Sequence, residues 1–237
     1  MDFTEKIVIV AGGTGALGRA VARAFLDAGA RVVVTYRRPE EFDALAAQAG
    51  EGAARLDGRS VDAGDEGAAR QFVESVVEKY ARLDVLVNAI GGFAGGPRLW
   101  ETDAKTYGQM LALNLQPGFA LARAAVPVML RQKRGAIVNV ASKAALGHAA
   151  GAAVYAASKA AAVALHDSLA EEVKGTGVRV NSVLPSIIDT GANRKAMPTA
   201  DFSKWPKPEE IARVILFLAS DDARLINGAA IPVYGES

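Results

Sequence analysis

Tyr155 and Lys159 lie four residues apart in VYAASKAAAVAL, a stretch that is rich in Ala and contains no Gly or Pro. This composition predicts an α-helix, and the spacing places the phenol and the ammonium side by side on one face. A phenol with a pKa near 10 is a poor base at neutral pH, whereas a neighbouring ammonium favours the phenolate. The pair therefore predicts proton transfer by Tyr155, although a pair of neighbours on any helix surface would show the same spacing.

Two more polar residues support a reaction at Tyr155. Ser142 ends the predicted strand GAIVNVAS, thirteen residues before Tyr155, and its hydroxyl can bind an oxygen on which negative charge develops. Asn114 lies in a helical pattern that runs from Gln109 to Arg131, with Pro117 and Pro127 as local disturbances. A set of four such residues is more specific than a pair. The Ser142 hydroxyl and the Tyr155 phenol together suit reduction of a carbonyl group or oxidation of an alcohol.

A glycine-rich loop predicts the hydride donor. Its glycines fit G-x-G-x-x-G between the predicted strand KIVIVAGG and the predicted helix LGRAVARAFLDAG. Glycine allows a tight turn and a close approach to a pyrophosphate, and the helix N-terminus attracts phosphate. We therefore expect a dinucleotide to bind the loop residues Gly12, Gly13, Thr14, Gly15, Ala16, Leu17 and Gly18.

The end of the second predicted strand, VVVTYRRPEE, bears on which dinucleotide binds. Tyr36 stands where an acid that holds the ribose of NAD is usual, and Arg37 and Arg38 follow it. Guanidinium groups suit a 2′-phosphate, so this segment favours NADP(H) over NAD(H). Two observations count against this: Glu40 and Glu41 weaken the positive charge, and exposed arginines are common at strand ends.

Short β-branched runs alternate with helical patterns along the whole chain of 237 residues. This alternation predicts an α/β fold: one doubly wound Rossmann-type domain over 1–237, with a parallel sheet of about seven strands and helices on both faces. The segment 186–208 is too long for an idle connection in a compact domain, and we interpret it as a substrate-binding lid.

Composition limits the partners. Net charge is +1, from 27 Lys and Arg against 26 Asp and Glu, so charge gives no reason to expect nucleic acid or a membrane surface as a partner. The chain has no Cys and only two His, which argues against a transition-metal site. The first residues, MDFTEKIVIVAGG, resemble neither a signal peptide nor a membrane span. We therefore expect a cytoplasmic protein without a metal.

In these motifs the chain resembles the short-chain dehydrogenase/reductase family. NAIG is similar to the family's N-N-A-G, and PSIIDT to its P-G-x-x-x-T, with Ser186 in place of Gly. The resemblance implies that the catalytic residues are Asn114, Ser142, Tyr155 and Lys159. It also implies that Lys159 holds the nicotinamide ribose, that Asn114 holds a water or a backbone group, and that the protein is a homodimer or homotetramer. It adds further cofactor contacts at Asp62, Asn88, Ala89, Gly91, Pro185, Ile188 and Thr190, besides Tyr155 and Lys159.

The segment DTGANRKAMPTADFSKW, residues 189–205, resembles the corresponding loop of dihydropteridine reductase, a branch of that family. A quinonoid pterin is therefore an alternative to a ketone substrate, although Ser142 suits a ketone better. A catalytically inactive protein that senses a dinucleotide is a remote alternative. Besides Ser142 and Tyr155, the predicted substrate contacts are Phe93, His148, Met197 and Trp205, with Trp100 as a further possibility.

Overall fold

Runs of Val and Ile form a continuous sheet in the computed structural model, which describes residues 1–237. Every strand pairing is parallel, and the strand order is β3-β2-β1-β4-β5-β6-β7. The predicted fold class, a doubly wound parallel sheet of seven strands, is thereby confirmed. The strands are β1 (Ile7–Ala11), β2 (Arg31–Tyr36), β3 (Leu56–Ser60), β4 (Val85–Asn88), β5 (Gly135–Val140), β6 (Val178–Pro185) and β7 (Ala230–Val233).

Helices cover both faces of this sheet, as the alternating pattern predicts. Alternate residues of β1 show why its run is apolar throughout: Val8 and Val10 join one core, and Ile7 and Ile9 join the other. The helices are α1 (Ala16–Asp27), α2 (Pro39–Gln48), α3 (Glu66–Tyr80), α4 (Ala104–Asn114), α5 (Gln116–Gln132), α6 (Ala153–Glu172), α7 (Gly191–Ala196) and α8 (Pro208–Ala219).

The strand order reverses between β1 and β4, where Ala11 pairs with Asn88. In parallel α/β sheets a ligand binds outside the carboxyl ends of the strands at such a reversal. The loops after β1, β4, β5 and β6 all leave the sheet at this edge, since the strands are parallel. The fold therefore gathers the glycine loop, Asn88, Ser142 and the 186–208 segment at one edge.

The prediction of one helical stretch from Gln109 to Arg131 is wrong. Helix α4 begins earlier, because the Asp103 carboxylate accepts a hydrogen bond from the backbone N–H of Thr106 at 2.6 Å and caps its first turn. It ends at Asn114, and α5 begins at Gln116 with Pro117 in its first turn, where a missing N–H costs little. The break places Asn114 at the end of a helix, beside the loop that follows β4.

The segment 186–208, interpreted above as a lid, forms regular elements. It contains α7 and a short 3-10 helix over 202–204. The Asp189 carboxylate forms two hydrogen bonds with the Arg194 guanidinium, at 2.5 and 2.7 Å. Nowhere in the structure does a helix combine the length and the apolar character needed to cross a bilayer.

Candidate active site

The glycine loop joins β1 to α1 with little room for side chains. Gly12 has φ +76°, and its N–H donates to the Thr35 hydroxyl at 2.9 Å. A Cβ on Gly18 would lie 2.1 Å from the Gly12 carbonyl oxygen, and one on Gly13 would lie 2.5 Å from the Val34 side chain. These contacts exclude a side chain at either position and bring the first turn of α1 close to the end of β1, as phosphate binding requires.

Asn88 and the residues after it form the second wall of the same cleft. The Asn88 side chain donates to the Asn139 side-chain oxygen at 3.1 Å and accepts from the Ile90 N–H at 3.3 Å. A Cβ on Gly12 would lie 3.0 Å from the Ile90 side chain, so the glycine loop packs directly on this segment. Ala89 and Gly91 face the cavity described below.

Lys159 and Asn114 meet at Gly91. A Cβ on Gly91 would lie 2.8 Å from Lys159 Nζ and 3.0 Å from Asn114 Oδ1. Both side chains are buried, with exposed fractions of 4% and 2%. Lys159 Nζ donates to the Val140 carbonyl at 3.1 Å, at the end of β5. The space over Gly91 is therefore enclosed by polar atoms and would be filled by any larger residue.

Asn114 binds backbone atoms on two sides. Its Oδ1 accepts from the Gly92 N–H at 2.9 Å, and its Nδ2 donates to the Gly92 carbonyl at 3.0 Å. The same Nδ2 lies 3.0 Å from the hydroxyl of Ser158, which in turn donates to the Tyr155 carbonyl at 2.7 Å. Asn114 thus ties the loop after β4 to α6, the helix that carries Tyr155 and Lys159.

Tyr155 faces the cavity beside Ser142 and Phe93. The Phe93 ring meets the Tyr155 ring edge to face, with centroids 5.0 Å apart. Ser142 follows β5, and its hydroxyl accepts a hydrogen bond from the Ala144 N–H at 3.2 Å. The structure therefore brings all four predicted catalytic residues to one end of the cleft.

Burial controls the acid–base properties of this pair. It lowers the pKa of Lys159 from 10.5 to about 8, because the ammonium is removed from water. It also raises the pKa of the Tyr155 phenol, and the Ser142 hydroxyl acts in the opposite direction. Burial outweighs the Ser142 hydroxyl, so the pKa of Tyr155 lies above its ordinary value and the sequence-based expectation of a lowered pKa is not met in this structure. A neutral phenol is the form that can donate a proton.

One cavity of about 790 Å³ connects these groups. Its wall includes the loop residues Gly15, Ala16, Leu17 and Gly18 at one end and the catalytic residues Ser142, Tyr155 and Lys159 at the other. Pro185, Ile188 and Thr190 line it as well, and the Thr190 hydroxyl caps α7 by accepting from the Asn193 N–H at 3.2 Å. The cavity therefore reaches from the glycine loop to the 186–208 segment.

The residues predicted to bind the adenosine part of the cofactor lie outside this cavity and are more exposed than the catalytic residues. The Tyr36 ring stacks on Phe42, with centroids 5.1 Å apart. Arg38 forms an ion pair with Glu41, whose other carboxylate oxygen accepts from the Thr14 hydroxyl at 3.1 Å. Arg37 has no such partner. Asp62 is exposed, and its carboxylate accepts from the Gly64 N–H at 3.1 Å.

The predicted substrate contacts divide into two groups. Phe93 and Met197 line the cavity. Trp205 does not, because it is only 6% exposed and packs against Phe202 at a centroid distance of 5.0 Å. His148 is exposed and lies outside the lining residues, and Trp100 is 76% exposed and faces solvent. Stacking of a planar substrate on Trp205 is therefore incompatible with this structure.

The motif analysis did not identify five residues that the structure brings to the site. Lys143, Ser186, Asn193 and Ser237 line the cavity, and buried Ser158 links Asn114 to α6. The sequence offered one signal: Ser186 replaces the Gly of a motif that the chain otherwise resembles. The others depend on contacts between segments that are far apart in the chain.

Comparison with known proteins identifies the family of the chain. A model of the short chain dehydrogenase family matches residues 6–201. The chain is 37% identical to meso-2,3-butanediol dehydrogenase of Serratia marcescens, over 99% of this chain and 95% of that protein.

Two solved structures share the fold. A short-chain type dehydrogenase/reductase from Mycobacterium ulcerans is 25% identical, with a TM-score of 0.94 over 100% of this chain and 90% of that one. ElxO with NADP bound is 27% identical, with a TM-score of 0.92 over 97% of each chain. A glycine loop, a buried Lys and a cavity-facing Tyr share one cleft. The matching family model and the relatives show that the chain belongs to the short-chain dehydrogenase/reductase family of oxidoreductases that act on alcohols and ketones.

Proposed function

We propose that this protein interconverts a ketone and a secondary alcohol with NADP(H), and that Tyr155 is the proton donor and acceptor. The observation that carries the proposal is the placement of the Tyr155 phenol and the Ser142 hydroxyl in one cavity with buried Lys159 and the glycine loop. A nicotinamide dinucleotide bound in this cavity would supply the hydride.

The residues of the chain suit the remaining steps. When the carbonyl carbon gains a hydride, its oxygen must gain a proton, which Tyr155 in its neutral form can donate. Ser142 would donate a hydrogen bond to the same oxygen while negative charge develops on it. In the oxidation direction the phenol must be deprotonated, and the Lys159 ammonium would then stabilise the phenolate.

Preference for NADP(H) is the part of the proposal that rests on Arg37. Its guanidinium is exposed and unpaired at the end of β2, where the 2′-phosphate of NADP would lie. Arg38 contributes less, because Glu41 already neutralises it. The solved relative ElxO has NADP bound, which agrees with this preference.

The test is turnover. Purified protein is mixed with NADPH and a panel of diketones, β-ketoesters, quinones and quinonoid dihydropterin, and NADPH consumption is followed. We expect reduction of at least one ketone, and a fall of about 10³-fold in kcat for Tyr155→Phe with NADPH affinity retained. Equal, measurable rates for the two proteins would refute the role of Tyr155. No NADPH consumption by the wild type with any substrate would favour a protein that only senses the dinucleotide.

Ser142→Ala separates the ketone from the pterin. Removal of a hydrogen-bond donor to a developing oxyanion costs about 10²-fold in kcat or more. A quinonoid pterin develops no such oxyanion, so its reduction should fall far less. Faster turnover of the pterin than of every ketone in the wild type, with little effect of Ser142→Ala, would identify the pterin as the substrate.

A further inference from the structure

A carboxylate connects the two segments that would hold the adenosine part of the cofactor. One oxygen of Glu41 accepts a hydrogen bond from the hydroxyl of Thr14, in the glycine loop, at 3.1 Å. The other oxygen pairs with Arg38, the residue just before α2. Glu41, in the first turn of α2, therefore joins the glycine loop to the segment that follows β2.

The adenosine ribose would lie beside this carboxylate. Strands β1 and β2 are paired, with Val10 opposite Val34, and the Gly12 N–H donates to the Thr35 hydroxyl at 2.9 Å. The glycine loop and the end of β2 are therefore neighbours. In folds of this kind the pyrophosphate binds at the glycine loop and the ribose binds at the end of the second strand. Glu41 contacts both of these places.

No other carboxylate stands at the end of β2. Tyr36 occupies the position where an acid that holds the ribose is usual, and its ring stacks on Phe42. An ionised carboxylate can accept about four hydrogen bonds, so Glu41 can still accept from a ribose hydroxyl while it binds Thr14 and Arg38. A side chain that these two partners already orient loses less entropy when it binds a ligand.

We propose that Glu41 is a residue that determines cofactor specificity: it accepts hydrogen bonds from the ribose hydroxyls of NAD(H), and it weakens binding of the 2′-phosphate of NADP(H) by pairing with Arg38. This proposal rests on the proposed function, because it limits the preference for NADP(H) that is assigned to Arg37. Of the two arginines, only Arg37 has no acidic partner. The wild type therefore binds both dinucleotides, with a small preference for NADP(H).

Two fragments of the cofactors test this proposal without any substrate. ADP-ribose and 2′-phospho-ADP-ribose both contain the pyrophosphate and lack the nicotinamide, and they differ only in the 2′-phosphate. Calorimetric titration gives the Kd of each fragment, and the quantity compared is the Kd of ADP-ribose divided by the Kd of 2′-phospho-ADP-ribose. We expect this ratio to lie between about 1 and 10 in the wild type, as one exposed charge-assisted contact from Arg37 would give.

Glu41→Gln should raise that ratio by about 10-fold, because Arg38 becomes free to bind the phosphate. Its affinity for ADP-ribose should fall by about 2-fold to 3-fold, since a neutral amide is a weaker acceptor for the ribose hydroxyls. Glu40→Gln is the matched control. It removes the same charge from the same turn of α2, but Glu40 is exposed, lies 3.9 Å from Arg38 Nε and does not bind Thr14, so the ratio should change by less than about 2-fold.

The outcomes separate this proposal from the proposed function. An unchanged ratio in Glu41→Gln, or an equal rise in Glu40→Gln, would overturn the assignment of Glu41, whereas the ketone reductase and the role of Arg37 would stand. Tighter binding of ADP-ribose by Glu41→Gln would show that Glu41 only repels the dinucleotide, and would also overturn the assignment. A wild-type ratio below one would contradict the preference for NADP(H), and the change in Glu41→Gln would still test Glu41.

Discussion

The catalytic end and the adenosine end of the cleft are built differently. At the catalytic end, Asn114 and Lys159 are almost completely buried, and each is bound to the backbone of a loop or strand end. At the adenosine end, Arg37 and Arg38 are exposed, and Arg38 binds another surface side chain, Glu41. Buried hydrogen bonds fix the geometry of the catalytic end, whereas the adenosine end depends on exposed charges.

This difference predicts the size of mutational effects. Buried polar atoms interact in a low dielectric and have no water to replace a lost partner, so a small displacement is costly. Exposed charges are screened by water and salt, and single pairs contribute little. Substitutions at the catalytic end should therefore reduce catalysis by orders of magnitude, whereas those at the adenosine end should change cofactor preference by small factors.

Gly91→Ala should lower kcat by a large factor. Its new methyl would lie within 3.0 Å of both Lys159 Nζ and Asn114 Oδ1, so these side chains must move. Displacement of catalytic groups by about 1 Å can cost about 10²-fold in rate, and we expect a loss of that size in kcat. Steady-state kinetics with NADPH and the best ketone of the panel provide the measurement.

Gly108→Ala is the control for that substitution, because a Cβ at Gly108 meets no atom within 4 Å. It lies inside α4, where Ala is favoured over Gly, so the variant should be fully active and slightly more stable. Equal kcat for Gly91→Ala and the wild type would show that the space over Gly91 is not rigid and would break the contrast between the two ends.

Lys159→Met should stabilise the fold at pH 7 while it abolishes most activity. Burial lowers the pKa of Lys159 from 10.5 to about 8, so at pH 7 the folded protein carries a charged lysine at a cost of about 3 kcal/mol. The unfolded chain binds this proton more tightly, so wild-type stability rises with pH between about 8 and 10.5, and the Met variant lacks this rise.

Denaturant unfolding of the two proteins at pH 7 and at pH 9.5 measures this effect. The advantage of the Met variant should be about 3 kcal/mol at pH 7 and smaller at pH 9.5. A variant that is less stable than the wild type at pH 7 would show that the hydrogen bond from Lys159 to Val140 outweighs the cost of burial.

Arg37→Ala and Arg38→Ala should give the smallest effects and should differ from each other. Loss of the unpaired Arg37 should weaken NADPH binding by about 10-fold, as expected for one exposed charge-assisted contact to a phosphate. Arg38→Ala should cost only about 2-fold to 3-fold, because its ion pair with Glu41 already neutralises it. Calorimetric titration with NADPH and NADH measures both.

NADH affinity should change little in either variant, since NADH has no 2′-phosphate. A wild-type protein that binds NADH more tightly than NADPH would contradict the cofactor preference. A larger effect of Arg38→Ala than of Arg37→Ala would show that Arg38, and not Arg37, contacts the 2′-phosphate.

Local patterns predicted the sheet well and named four polar residues that the structure brings to one cleft. Strands such as KIVIVAGG are apolar on both faces because both faces are buried, and the Tyr155–Lys159 spacing follows from the helix repeat. What failed depends on how neighbouring segments pack in three dimensions. The end of α4 at Asn114 follows from the start of α5, and nothing in the segment around Trp205 indicates that its ring is buried beside Phe202.

The balance of pKa shifts was beyond sequence analysis for the same reason. Spacing places a positive charge near Tyr155, but only the three-dimensional structure shows that both groups are largely shielded from water. The surroundings of Lys143 are similar: it stands beside Ser142 in the sequence, yet its contacts with Tyr234 and Ser237 involve residues about ninety positions away.

Transfer of deuterium from NADPH tests the central claim most directly. NADPH deuterated at its transferable position is incubated with the best ketone and either wild-type protein or Tyr155→Phe, and the alcohol is analysed by mass spectrometry. We predict one deuterium on the carbinol carbon in the wild-type product and about 10³-fold less product from the variant. An alcohol without deuterium, or equal deuterated product from both proteins, would contradict hydride transfer assisted by Tyr155.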